Sequence, residues 1–189
     1  AERVDGGYKF TGRKIFGSLS PVWTRLGLHG MDTTSDPANP QVVHAFMPRD
    51  TTGYRIEETW DVLGMRATRS DDTVLEGAFV PDRYIARVLP AGTPDLFVLC
   101  IFAWAECTFA NIYLGLAERA RDLAVASAKK RTSLAISRSM AYHPEVQHSV
   151  AEMVLALEAA GAQVDRIASE WSAGVDYGHD WPMKLVAAK

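Results

Sequence analysis

The spacing of apolar and polar positions changes character once along the chain. From residue 1 to about 89, short runs rich in β-branched and aromatic residues alternate with turn formers. Candidate strands fall at residues 8–10, 14–19, 22–28, 41–47, 54–60, 73–80 and 84–89. The breaks between them lie at Asp5-Gly6-Gly7, residues 35–40, Thr51-Thr52-Gly53 and Pro81-Asp82, all built from residues that favour tight turns. Strands this short and this closely spaced predict an antiparallel, barrel-like sheet domain.

Beyond residue 90 the period becomes helical. Pro94 suits a helix start, and residues 96–131 contain no proline and one glycine, Gly115. In the next segment Val146, Val150, Met153, Leu157, Ala160, Val164, Ile167 and Trp171 recur alternately four and three residues apart. That seam predicts a helix packed nearly parallel to its neighbours. Pro144 fits its first turn and Gly174 lies just past its end. A third helix is expected from Pro182. The fold class is therefore α+β: a β-domain over residues 1–89, then part of a four-helix-type bundle over 90–189. Both ends read as cut, because the strand pattern opens without a preceding element and Lys189 falls within a helix. One strong seam also calls for more helical partners than the chain supplies.

Composition narrows the function less than the pattern does. Of the 189 residues 48% are hydrophobic and 23% charged, as in a soluble protein with a packed core. A net charge of −3 with no basic cluster argues against a nucleic-acid partner. Cys100 and Cys107 form neither a disulfide framework nor a metal or redox motif and read as core thiols of a reducing compartment. The five histidines are scattered, so a metal site is not expected. No leader pattern opens the chain, which makes the cytoplasm the expected compartment. The apolar run at 96–105, bounded by Asp95 and Glu106, covers about half a bilayer and reads as a buried helix rather than a membrane span.

Three stretches, in order, resemble the acyl-CoA dehydrogenase family. Residues 5–18, DGGYKFTGRKIFGS, look like its "gGy-x-lnG-x-K" strand pair. Residues 60–70, WDVLGMRATRS, look like its "lGMRaTgS" loop and are followed by Phe79-Val80-Pro81. From Arg131 to Met153 the chain is similar to the segment that starts the later bundle helices, with Val146, Gln147, Ala151, Glu152 and Met153 in register. The resemblance implies an FAD-dependent oxidoreductase acting on an acyl-CoA thioester, with an electron-acceptor flavoprotein as partner and a homodimer or homotetramer as assembly. A glutamate would remove the α-proton while the flavin accepts a hydride from the β-carbon. Two alternatives stay open: a flavin monooxygenase of the same fold, and a non-catalytic paralogue that serves as a subunit partner.

Carried over position by position, the resemblance implies cofactor contacts. Phe16, Gly17 and Ser18 fall on the stretch that lies along the flavin ring, where the Ser18 hydroxyl is expected to donate to it; the bland reading is a serine bonded to backbone. Arg131, Thr132 and Ser133 fall where the FAD pyrophosphate is met, a role suited to an arginine fork, although Lys129-Lys130-Arg131 equally suits a helix C-terminus. His143 and Pro144 stand where an aromatic or histidine and a glutamine are usual, and Leu134 takes a phenylalanine's place. Thr68, Ser70, Asp71 and Asp72 belong to the GMRATRS loop, whose usual glycine is Arg69 here; as a plain sequence it reads as a turn. Glu106, set among Trp104, Cys107 and Phe109, is a speculative catalytic base, and a structural carboxylate is the preferred reading. The family's base otherwise lies at the place of Ala105 or beyond Lys189.

Overall fold

A computed structural model describes residues 1–188, so the expectation for Lys189 lies outside the described residues. The chain divides into two compact units, Ala1–Thr93 and Pro94–Lys189.

The first unit holds β1 (Glu2–Val4), β2 (Gly7–Gly17), β3 (Arg25–Met31), β4 (Gln41–Pro48), β5 (Tyr54–Glu57), β6 (Asp71–Pro81) and β7 (Ile85–Pro90). They form two antiparallel sheets, ordered β1-β2-β6-β5 and β3-β4-β7. Alternate positions of both sheets share one core, with Phe10, Leu75 and Val80 from the first and Leu28, Val43 and Met47 from the second. Closure into a barrel, the expectation from strand spacing, is not found among the described residues. One cause is visible at β5, which stops at Glu57 instead of running on to residue 60. The amides of Thr59 and Asp61 bond back to the carbonyls of Glu57 and Thr59, at 2.8 and 3.0 Å, and so leave the ladder.

Two further corrections concern strand limits. The expected strands at 8–10 and 14–19 are one strand, β2, which pairs with β6 throughout but with register shifts between Phe10 and Thr11 and between Lys14 and Gly17. These bulges break the apolar alternation without breaking the pairing. The strand expected from Val22 begins only at Arg25, because Val22 and Trp23 curl into a turn on the Leu19 carbonyl. Trp23 is buried there, with the Arg49 guanidinium 4.4 Å above its ring.

The second unit consists of α1 (Leu96–Lys130), a two-residue hairpin β8 (Thr132–Ser133) and β9 (Arg138–Ser139), α2 (Pro144–Ser172) and α3 (Trp181–Ala188). Asp95 starts α1 by accepting the Phe97 amide at 2.8 Å, as an N-cap should. The predicted seam of α2 is the side turned inward, with Val164 and Ile167 fully buried. Ala160 is the exception, since it is exposed and the neighbouring Gly161 takes the inward place opposite Leu114. Ala103, Ile167, Trp181 and Leu185 close the core, where Trp181 meets Trp171 edge-on at 4.8 Å.

Helix α1 departs from its expectation as a buried helix. It runs for 35 residues, and only 11% of its most apolar window is buried within the chain. By length and composition it is long and apolar enough to cross a membrane. One side, through Ala103 and Ala110, is buried, while Trp104, Phe102, Tyr113 and Leu116 are exposed.

Candidate functional site

At one end of the four-stranded sheet the first two motif stretches meet. The segment that follows β2 is held against the loop that precedes β6 by two backbone bonds, Leu19 N–H to Thr68 O at 2.7 Å and Ser20 N–H to Arg69 O at 3.1 Å. Beneath them lies Asp71, 1% exposed. Its carboxylate accepts the Ser20 hydroxyl, the Trp60 amide at 3.0 Å and the Arg69 Nε at 3.2 Å. The Ser20 bond is the main reason that Asp71 is held below the usual carboxylate range, and the Trp60 and Arg69 bonds add to it against the opposing effect of burial. Asp72 faces the other way, into an ion pair with Arg13.

Backbone geometry then fixes what the loop presents. The pairing of Gly17 with Asp71 brings the two strands so close that a Cβ on Gly17 would lie 2.8 Å from the Asp71 carbonyl oxygen. Phe16, just before it, is in the left-handed region at φ 56° and points outward, 67% exposed. Its ring meets the Trp60 ring edge-on at 6.0 Å. Met65 and Arg69, at the two ends of the single helical turn Arg66–Thr68, are left-handed as well. A glycine at residue 69, usual in the resembling loop, would therefore suit the backbone better than arginine does.

A row of hydroxyls borders this surface. The Thr68 hydroxyl donates to the Met65 carbonyl at 2.8 Å. Ser70, itself buried, lies 2.8 Å from the Thr68 hydroxyl and 2.9 Å from that of Ser18. Exposed Ile15, Phe16, Leu19 and Met65 flank the row. Exposed apolar side chains and hydroxyl oxygens are thus neighbours at this end of the sheet. The residues expected at the flavin ring and those of the GMRATRS loop are thus brought together. Asp71, which the resemblance placed only in a loop that shapes the barrel near substrate and flavin, organises them together with Ser20 and Trp60, which had no functional reading in the sequence.

In the second unit, Arg131, Thr132, Ser133 and His143 also gather. Thr132 and Ser133 pair with Ser139 and Arg138. The Arg131 carbonyl accepts the Met140 amide at 2.8 Å, and the Met140 carbonyl accepts that of His143 at 2.9 Å. Ser139 ties this turn to the end of α1 by donating to the carbonyls of Ala128 and Lys129 while it accepts the Ala141 amide. Arg131 and Thr132 are exposed, whereas Ser133 is buried. The Nδ1 atom of His143 is buried without a hydrogen-bond partner among the described residues. The hairpin escaped the sequence reading because two-residue strands carry no period.

Glu106 is half-buried on α1. It does not line the 860 Å³ groove between α1 and α2, whose walls include Trp104, Cys107, Thr108, Asn111 and Trp171. Burial pushes the Cys107 thiol up, and the nearby Glu106 adds to the shift, so this thiol stays protonated at neutral pH.

Residues 107–189 match the model of the acyl-CoA dehydrogenase C-terminal domain. The chain is 31% identical over 160 residues to the putative acyl-CoA dehydrogenase YdbM of Bacillus subtilis (strain 168), an alignment covering 83% of this chain and 39% of the relative. It is 30% identical over 172 residues to dibenzothiophene monooxygenase of Rhodococcus erythropolis, covering 84% of this chain and 40% of that one. Among solved structures, KijD3 in complex with FMN and a dTDP-linked amino sugar superposes with a TM-score of 0.77 at 25% identity, over 97% of this chain and 44% of KijD3. The chain thus spans about 40% of the length of these curated relatives. Motifs, two-sheet-plus-helices architecture and similarity agree, and the chain belongs to the acyl-CoA dehydrogenase family.

Proposed function

We propose that the full-length protein is a flavin-dependent oxidoreductase that uses reduced flavin and dioxygen to oxygenate an organic substrate. The observation that carries the flavin part is the apolar strip at Phe16 and Leu19 bordered by the hydroxyls of Ser18, Ser70 and Thr68. Its apolar side chains and hydroxyl oxygens suit the edge of a flavin ring. Arg131 and the Thr132 hydroxyl, both exposed on the hairpin, are the groups that would meet a pyrophosphate, which favours FAD. Ser133 is buried and serves the hairpin instead. Flavin supplies the electrons for oxygen activation when reduced and accepts a hydride when oxidised. Similarity to dibenzothiophene monooxygenase, and to KijD3 with its bound FMN, supports the oxygen-activating reading.

A second reading, α,β-dehydrogenation of an acyl-CoA with an electron-acceptor flavoprotein, is favoured by the likeness to YdbM. Either reading is compatible with a cytoplasmic homodimer or homotetramer.

The two readings separate in one experiment on the full-length protein. With FAD, a flavin reductase, NADH and indole under ¹⁸O₂, oxygenation predicts labelled product. With butyryl-CoA and longer acyl-CoAs under anaerobic conditions, dehydrogenation predicts bleaching of the flavin. Bleaching without label would replace the first reading by the second, and a protein that binds no flavin would end both.

A further inference from the structure

Arginines of the first unit stack repeatedly on aromatic rings, and they differ in whether their charge is met within the chain. Arg3 lies 5.0 Å over the Tyr8 ring, and its fork takes both oxygens of Asp82. Arg49 lies over Trp23 and donates to the Ser20 carbonyl. Arg25 and Arg83 share one ring, their guanidiniums 4.8 and 4.9 Å from the centre of Tyr84, within the range at which a ring face attracts a cation. Neither makes an ion pair or a side-chain hydrogen bond among the described residues. Asp82, next in sequence to Arg83, is already taken by Arg3.

The placement follows from the three-stranded sheet. Arg25 opens β3 opposite Pro48, and Tyr84 ends the single turn Asp82–Tyr84 before β7, with β4 between the two strands. Tyr84 is half-buried against the core, whereas both arginines are exposed. Because both guanidiniums lie against one ring, the two charges are at most ~10 Å apart, about a Debye length.

We infer that Arg25 and Arg83, held by Tyr84, form a docking point for a partner protein that presents two carboxylates one helical turn apart. The Arg3 site shows the completed arrangement within this molecule, a ring-stacked guanidinium whose fork grips a carboxylate. At Tyr84 the ring and the cations are in place, and the carboxylates are left for the partner to bring. Side chains three or four residues apart on a helix are neighbours and reach such a pair together. The ring limits the motion of both arginines, so less freedom is lost when the anions arrive. An exposed ion pair gains little while water surrounds it. A partner surface excludes that water around the arginines, which a small anion on an open face does not.

The test measures binding to the full-length protein by fluorescence anisotropy. The probes are a labelled alanine-based helical peptide with two glutamates one turn apart, and its glutamine twin. Wild type should prefer the glutamate peptide roughly three- to thirtyfold, and added salt should erase the preference. Arg25→Gln and Arg83→Gln should each remove most of it. Arg25→Lys and Arg83→Lys, which keep the charge and lose the planar fork, should restore it only in part. Lys9→Gln, which takes one positive charge from an exposed site on β2, should leave it unchanged. Equal binding of the two peptides by wild type, or an equal loss in Lys9→Gln, would overturn the docking point. Pyrophosphate bound at these arginines more tightly than the glutamate peptide would overturn it too, in favour of a phosphate ligand.

Discussion

Asp71 gathers three donors onto one buried carboxylate, and its behaviour with pH follows from them. Its folded pKa is lowered, so the stability it contributes is complete above the unfolded carboxylate value of about 4 and is lost as pH falls through the folded value. Acid titration of the full-length protein, followed by circular dichroism, should lose stability below about pH 4. In Asp71→Asn that limb should be flatter, and stability at pH 7 should be lower. Gly17 is constrained differently. Its backbone conformation suits any residue, but a Cβ would lie 2.8 Å from a backbone oxygen and 3.3 Å from Thr73 Oγ1. Gly17→Ala should cost ~1–3 kcal/mol in urea unfolding, and a neutral result would mean that the strands part more easily than their pairing implies.

At the scale of elements, what was legible in the sequence is what has a period. The four-and-three spacing located α2 and its inward face. Continuity of β2 was hidden because its register shift after Phe10 is followed by three exposed residues, Thr11, Gly12 and Arg13, which carry no apolar alternation. Asp71 was hidden for another reason. A polar residue beside a turn motif looks like more turn until its partners, Ser20 at fifty-one positions' remove among them, are known. The exposure of α1 was illegible too, since an apolar helix reads the same whether its own chain covers it or not. Gly161 gives the element-scale prediction. A methyl group there would meet Leu114 Cδ2 at 3.7 Å, an ordinary contact. Replacing a glycine in a helix interior by alanine removes an entropic penalty, so Gly161→Ala should raise stability by about 0.5–1 kcal/mol, read as an increase in Tm.

At the scale of the molecule, the exposed side of α1 is the main unbalanced feature. Trp104 is 77% exposed on a helix whose composition is that of an interior element. Such a face belongs against another apolar surface. Acrylamide quenching should therefore reach Trp104, isolated by difference with Trp104→Phe, in the 189-residue chain and much less in the full-length protein. Equal quenching in both would show that the face stays in water.

The joint between the segment after β2 and the loop before β6 also has a consequence for recombination between relatives. Ser18 and Ser20 bond to Ser70 and Asp71, so residues from about 17 to 71 form a single unit of inheritance although most of the residues between them take no part. A chimera whose crossover falls between residues 20 and 60 joins a hydroxyl from one parent to a carboxylate from another. It should express poorly whenever the parents differ at these positions, whereas crossovers that leave the whole interval to one parent should be tolerated. A library of such chimeras, sorted for soluble protein, would show a gap in permitted crossovers across that interval, long in sequence and only a few ångströms wide in space.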